Sequence, residues 1–236
     1  MTDEDELCRS ALHWAQRNKK LFAQAETDKQ RFPPEENPVT VFMAGSPGAG
    51  KTEVAESLAD ELARGGGAPV LLIDPDKYRE RFAGYDGSNA WIFQSAVSVL
   101  VEKVFDFALT QNQSFILDGT LSNYAKALSN IQRCLGRGRE ILILYVYQDP
   151  LLAWRFVQAR EATEGRRIPK AHFIHQYFAA RDAVNRLKNE FGQQLVVDVI
   201  VKNLDNSLQF YRDNVDRIDH HVPERYTRED LELRLP

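Results

Sequence analysis

The stretch Gly45-Ser46-Pro47-Gly48-Ala49-Gly50-Lys51-Thr52 constrains this chain more than any other. It matches G-x-x-x-x-G-K-[ST], and its flanks match as well: an apolar run at 39–44 precedes it, and the helix-forming TEVAESLADELA follows from Thr52. A strand feeding a glycine-rich turn that opens a helix turns backbone N–H groups inward and sets the positive end of the helix dipole beside them. That arrangement suits phosphates. In such a loop Lys51 reaches the β- and γ-phosphates of a nucleotide, and the Thr52 hydroxyl is a ligand for Mg²⁺.

Three further segments fit a phosphate site. The second apolar run, at 70–73, ends in Asp74-Pro75-Asp76-Lys77-Tyr78-Arg79. Ligands of open α/β sheets bind beyond the C-terminal ends of the strands. A carboxylate there is placed to take the proton of a substrate hydroxyl, with Arg79 to hold a substrate anion. Either Asp74 or Asp76 can also cap the helix that follows. Phe115-Ile116-Leu117-Asp118-Gly119-Thr120 is an apolar strand ending in an acid, the pattern of a carboxylate that meets Mg²⁺ or orients substrate. Arg155, Arg160, Arg166, Arg167 and Lys170 cluster around a loop at Gly165. Guanidiniums in a lid over the phosphates offset charge on a transferring phosphoryl group.

Around these motifs, strand-like runs at 39–44, 70–73, 114–117, 140–147 and 195–201 alternate with helical patterns at 51–64, 89–110 and 151–161. The strands are nearly continuous in apolar residues, which a parallel sheet covered on both faces requires. The expected fold is therefore α/β, a doubly wound parallel sheet with helices on both faces. Residues 7–22 read as an amphipathic helix, and Pro33, Pro34 and Pro38 break the chain after it. The expected organisation is a helical extension at 1–30, a proline-rich linker at 31–38 and a domain built around the phosphate-binding loop at 39–236. The polar loop Gly84-Tyr85-Asp86-Gly87-Ser88-Asn89 is a candidate sugar or nucleotide contact. The charged stretch 213–236 reads as a surface helix or a partly disordered tail.

Composition removes several classes. The 236 residues carry 30 Lys+Arg against 34 Asp+Glu, a net charge of −4, which argues against a general nucleic-acid binder. No apolar run approaches the roughly 20 residues of a membrane span, and MTDEDEL has no signal-peptide core. Cys8 and Cys134 are too few for a disulfide framework, so a reducing, cytoplasmic setting is expected. His13, His172, His175, His220 and His221 form no zinc-like spacing.

Taken in order, GSPGAGKT, IDPDKYR, ILDGT and Arg160 followed by RRIPK resemble the zeta toxin family of bacterial toxin–antitoxin systems, over roughly residues 38–203. The resemblance implies a P-loop kinase that uses ATP and Mg²⁺ to phosphorylate an alcohol group of a UDP-activated amino sugar such as UDP-N-acetylglucosamine. It implies that Gly45, Ser46, Pro47, Gly48, Ala49, Gly50, Lys51 and Thr52 bind ATP, with Thr52 and Asp118 at the metal. It places Asp76 as the base, with Asp118 and Thr120 near the acceptor. It matches Arg160 and Arg166 to a pair that grips the phosphates, and Asn203 to the adenine region. Asp118 is one methylene shorter than the family's glutamate, and the segment after Arg160 is short, so Arg167 competes with Arg166. IDPDKYR also resembles the base-plus-arginine element of polynucleotide 5′-kinases. A kinase for a nucleic-acid 5′ end or an antibiotic, or an NTP-dependent switch, is the alternative. The family's antitoxins insert a helix beside the ATP site. An antitoxin is therefore an expected partner, or the N-terminal helix is an inhibitor in cis.

Overall fold

The computed structural model describes residues 2–165, 167–223 and 226–236, apart from the Glu164 side chain. Six strands form one sheet in the order β2-β3-β1-β4-β5-β6. These are β1 (Thr40–Ala44), β2 (Leu71–Ile73), β3 (Phe115–Leu117), β4 (Leu142–Tyr147), β5 (Val196–Lys202) and β6 (Leu208–Arg212). The first five pair in parallel, and β6 returns antiparallel along β5. β1 is central and fully buried, as its unbroken TVFMA sequence demands. From β1 the chain crosses to the edge strand β2, returns inward to β3 and then passes to β4 on the other side of β1, so the strand order reverses beside β1 and a crevice opens there at the C-terminal edge.

Helices cover both faces. One face carries α2 (Lys51–Arg64), whose Val54, Leu58 and Leu62 pack on Val41, Met43, Ile116, Leu144 and Val146. The other carries the larger core, built with α4 (Gln94–Thr110) and α7 (Lys170–Phe191) among others. α4 is the pillar of this face: Ala96, Val97, Leu100, Val101, Val104, Phe105, Ala108 and Leu109 are buried along it. No described helix is long and apolar enough to cross a membrane.

The N-terminal helix is longer than its apolar pattern, running as α1 from Asp3 to Glu26 behind a Thr2–Asp5 capping box. Its Ala11, Ala15 and Ala23 are buried against the core that α4 carries. The proline-rich stretch is pinned at three points. Gln113 Nε2 donates to Phe32 O at 2.6 Å, Glu35 N donates to Asn112 O at 2.8 Å, and Val39 N donates to Ser114 Oγ at 2.8 Å. Arg139, 5% exposed, donates to Thr40 Oγ1, Val39 O and Gln113 O, tying this entry to the sheet.

Three differences from the sequence reading have local causes. α4 starts at Gln94 and not at Asn89, because Asn89 is consumed by the preceding loop: its Nδ2 donates to Gly84 O, and its Oδ1 accepts from Asp86 N. The helix expected at 151–161 is α6, Pro150–Glu164; Asp149 caps it and the left-handed Gly165 ends it. The C-terminal stretch is no loose tail where it is described. Val215, Ile218, Val222, Leu231 and Leu235 are buried, and α8 (Arg228–Arg234) has its own capping box.

Candidate functional site

Residues 45–52 wrap between β1 and α2 with a backbone only glycine accommodates at two points. Gly45 has φ +131°, and a Cβ there would sit 2.3 Å from Val146 O. Gly48 has φ +72°, and its Cβ would sit 2.2 Å from Ala153 O of α6. So β4 and α6 press directly on the loop, and a side chain at either glycine displaces backbone. Gly50 caps α2 from a left-handed conformation without any side-chain cap, which leaves the first-turn N–H groups of α2 for a ligand. Lys51 is buried and donates from Nζ to Ser46 O at 2.7 Å, so the cation lies along its own loop. Gly45 N donates to Thr120 O at 3.2 Å, which ties the loop entrance to the end of β3.

Thr52 and Asp118 meet. Thr52 Oγ1 donates to Asp118 Oδ2 at 2.7 Å, although 66 residues separate them. Parallel pairing of β1 with β3 brings the two strand ends level, and Asp118 is only 7% exposed there. Asp118 N also donates to Ile73 O, which brings the end of β2 alongside. The hydroxyl–carboxylate pair fits Mg²⁺, a hard cation that takes few protein oxygens and completes its shell with phosphate and water. No three His, Cys, Asp or Glu side chains form a metal cluster among the described residues.

Asp74 and Asp76 separate into two roles. Asp74 Oδ1 accepts from Asp76 N at 2.8 Å and caps the short helix α3 (Pro75–Arg79). Burial, then the neighbouring charge of Asp76, and less strongly that of Asp118, push its carboxyl up to about 6. A site in which carboxylates crowd until one resists ionising is a site suited to a cation. Asp76 is half-buried and takes an ion pair from Arg79 Nη1. Arg79 is 7% exposed, and its Nη2 donates to Gln94 Oε1 at 2.8 Å. The expectation that Arg79 reads a substrate anion therefore meets a guanidinium already engaged by Asp76 and Gln94.

α6 roofs the loop. Ala153 and Val157 touch the position of a Gly48 Cβ, and Arg160 follows on the same helical face by the i, i+4, i+7 spacing. The end of α6 reaches the loop 84–89, since a Cβ on Gly165 would lie 3.2 Å from Ser88 N and 3.4 Å from Asp86 O. Of the remaining basic cluster, Arg167 lies 3.9 Å from Glu161, and Lys170 donates to Leu235 O and Glu232 O at the end of α8. Lys170 is thus a structural cap. Arg166 lies outside the described residues.

Asn203 turns into its own hairpin: its Nδ2 donates to Ser207 Oγ, and its carbonyl accepts from Gln148 Nε2. Thr120 shares a 2.8 Å hydroxyl contact with Ser122. One residue before Asn203, Lys202 ends β5 with Nζ 3.4 Å from Gly50 O, and burial lowers its pKa. The sequence reading did not single out Lys202 or Gln94. The rule that ligands sit at C-terminal strand ends points to Lys202, the last residue of β5. No sequence signal marks Gln94.

α1 lies behind the Asp76 wall. Phe22 meets Tyr78 edge-on at 4.9 Å, Trp14 meets Phe82 at 5.4 Å, and Glu26 lies 3.6 Å from Arg81.

A family model described as Zeta toxin matches residues 23–216. Among solved structures, one from the PezAT chromosomal toxin–antitoxin system of Streptococcus pneumoniae aligns with a TM-score of 0.62 at 15% identity, over 99% of this chain and 92% of that chain. An AvrRxo1-ORF1:AvrRxo1-ORF2 complex with sulphate ions aligns at 0.59 and 16% identity, over 93% and 72%. The same pair with ATP aligns at 0.56 and 17%, over 90% and 67%. These neighbours share the fold. No curated protein sequence matches the chain.

Proposed function

The chain belongs to the zeta toxin family, and from that premise we propose that it is an ATP-dependent phosphotransferase moving the γ-phosphoryl group of Mg·ATP to a hydroxyl of a small acceptor. The observation that carries this reading is the meeting of Thr52 with Asp118 beside the glycine loop, one strand from the Asp76–Arg79 pair. A phosphate cradle, a metal pair and a candidate base thus share one edge of the sheet, where in-line transfer needs them.

The loop 45–52 holds the phosphates through backbone N–H groups, and Lys51 offsets charge on the β- and γ-phosphates. Thr52 and Asp118 hold Mg²⁺, which when bound neutralises charge developing on the phosphate oxygens. Asp76 accepts the acceptor's hydroxyl proton as the bond to phosphorus forms, or orients that hydroxyl if the transition state is loose. Arg160 reaches the transferring group from α6, and Lys202 adds a second cation at the Gly50 shoulder of the loop. The roles of Arg166 in gripping phosphate and Asn203 near adenine rest on the family resemblance.

A nucleotide sugar such as UDP-N-acetylglucosamine is the proposed acceptor class, on the same resemblance. Asp86 in the loop touched by Gly165 is the carboxylate suited to a sugar hydroxyl, while Asn89 shapes that loop through its bonds to Gly84 and Asp86. A toxin–antitoxin neighbour supports an inhibitory protein partner. We read α1 as a brace for the wall carrying Asp76, because its aromatic contacts go to Tyr78 and Phe82. The test is a mass-spectrometric screen of purified protein with Mg·ATP against UDP-N-acetylglucosamine, other nucleotide sugars and a 5′-hydroxyl oligonucleotide. Phosphate gain on a nucleotide sugar is expected. Gain on the oligonucleotide alone reassigns the acceptor, and ATP cleavage with no phosphorylated acceptor favours a switch.

A further inference from the structure

Gln94 belongs to none of the motifs, yet it holds the arginine that holds Asp76. Arg79 is almost wholly buried, and a buried guanidinium is costly unless its charge is paired. Nη1 goes to Asp76, and Nη2 goes to Gln94 Oε1 at 2.8 Å. Nε is buried with no hydrogen-bond partner among the described residues. Two acceptors therefore set where the fork lies, and they differ in rigidity. Asp76 and Arg79 share α3, a helix of five residues that is too short to fix its own orientation. Gln94 is the first residue of α4, a helix of 17 residues anchored by eight buried side chains.

From this contrast we propose that Gln94 is a positioning residue, transmitting the fixed location of α4 through Arg79 to the carboxylate of Asp76. The proposal rests on the reading of Asp76 as the base. It gives Arg79 a different task from reading a substrate anion: its charge is spent on Asp76, and its second nitrogen on the α4 platform. Side chains that do chemistry need such support, because a displacement of about 1 Å costs about 100-fold in rate. Removing the Gln94 acceptor unties Nη2 from α4, and the pose that Arg79 imposes on the Asp76 carboxylate is then no longer referred to that helix.

The test uses the full-length protein and two readouts. The first is the ¹⁵N spectrum of the Arg79 guanidinium, assigned with Arg79→Lys. Wild type is expected to show separate Nη resonances from hindered rotation; Gln94→Leu merges them, and Gln94→Glu, which keeps an acceptor oxygen, leaves them separate. The second is turnover of UDP-N-acetylglucosamine with Mg·ATP. Gln94→Leu is expected to lower kcat by about 10- to 100-fold while the KM for ATP stays within about twofold, and Gln94→Glu recovers most of the loss. Gln94→Asn, a milder truncation, replaces Gln94→Leu if the latter melts early. Wild-type kcat in Gln94→Leu, or an Arg79 spectrum unchanged by it, overturns the proposal. Asp76→Asn is run in parallel. If it keeps full turnover the base assignment fails, and if wild type does not turn over this acceptor the acceptor assignment fails. In both cases the guanidinium spectrum still decides whether Gln94 holds Arg79.

Discussion

Replacing Gly48 by alanine separates two costs that glycine loops are said to avoid. The first is conformational. At φ +72° an alanine pays about 1–2 kcal/mol for the left-handed region. The second is contact. The new Cβ would lie 2.2 Å from Ala153 O and 3.0 Å from Ala153 C, where an ordinary contact needs about 1 Å more. Ala153 cannot retreat easily, since Ala153, Trp154 and Val157 are buried and fix α6 in the core. The loop must yield instead, adding about 1–3 kcal/mol of overpacking. Gly66 is the control: it has φ +87° and nothing within 4 Å of its Cβ position. Gly66→Ala therefore incurs only the conformational cost. Thermal melting should place Gly48→Ala below Gly66→Ala, by about 2–4 °C for each kcal/mol of extra cost. Calorimetric titration with Mg·ATP should show affinity weakened about 100-fold in Gly48→Ala and unchanged in Gly66→Ala, since a cradle moved by about 1 Å loses its aligned donors. Two variants that melt together and bind ATP alike would refute the argument from close approach.

Other perturbations follow from the same contacts. Asp74 has a folded pKa near 6 against 3.8 unfolded, so its charge opposes folding. Below about pH 4 the group is neutral in both states and contributes nothing. Between about pH 4 and 6 the folded state holds a proton that the unfolded state has lost, and above that the full penalty of about 3 kcal/mol applies. Asp74→Asn, which keeps the cap to Asp76 N, should raise the melting temperature at pH 8 without Mg²⁺ and lose that gain by pH 4. An equal gain at both pH values contradicts this. Arg139→Met leaves Thr40 Oγ1 and Gln113 O short of a donor, while Val39 O keeps Phe115 N, and should lower the urea-unfolding free energy by about 2 kcal/mol; a loss below about 1 kcal/mol would show that water replaces the guanidinium. Phe22→Ala removes a half-buried ring from Tyr78 and should cost about 2 kcal/mol in stability without raising turnover. Higher turnover in that variant would restore an inhibitory role in cis for α1.

The parts of this molecule legible in its sequence are those whose chemistry and geometry sit within a few residues of each other. Strand, loop and helix from Thr40 to Arg64 are contiguous, and the helix boundary at Lys51 follows from the loop motif itself. Asp118 could be placed as the end of an apolar strand. Its meeting with Thr52 additionally needs β3 beside β1, which depends on the whole topology. Gln94 is opaque because a glutamine is not distinctive in isolation and its partner Arg79 lies on another helix; Lys202 can be placed at the end of β5, but its approach to Gly50 depends on the whole topology. Lys170 looked like part of a phosphate lid because charge clustering carries no information about direction; α8 supplies the carbonyls it actually meets. The stretch 213–236 reads as polar, since its buried side chains are spaced singly among charges and join a core built from elements distant in sequence.

In the proposed reaction Asp76 acts on the acceptor hydroxyl while the loop at 45–52 holds ATP. The most direct measurement compares wild type with Asp76→Asn in two assays on the same preparations: Mg·ATP affinity by calorimetry, and phosphate transfer to a nucleotide sugar by mass spectrometry. Asp76→Asn should keep ATP affinity within about twofold of wild type and slow transfer by about 100-fold or more. Equal transfer by both proteins would contradict it and remove Asp76 from the chemistry.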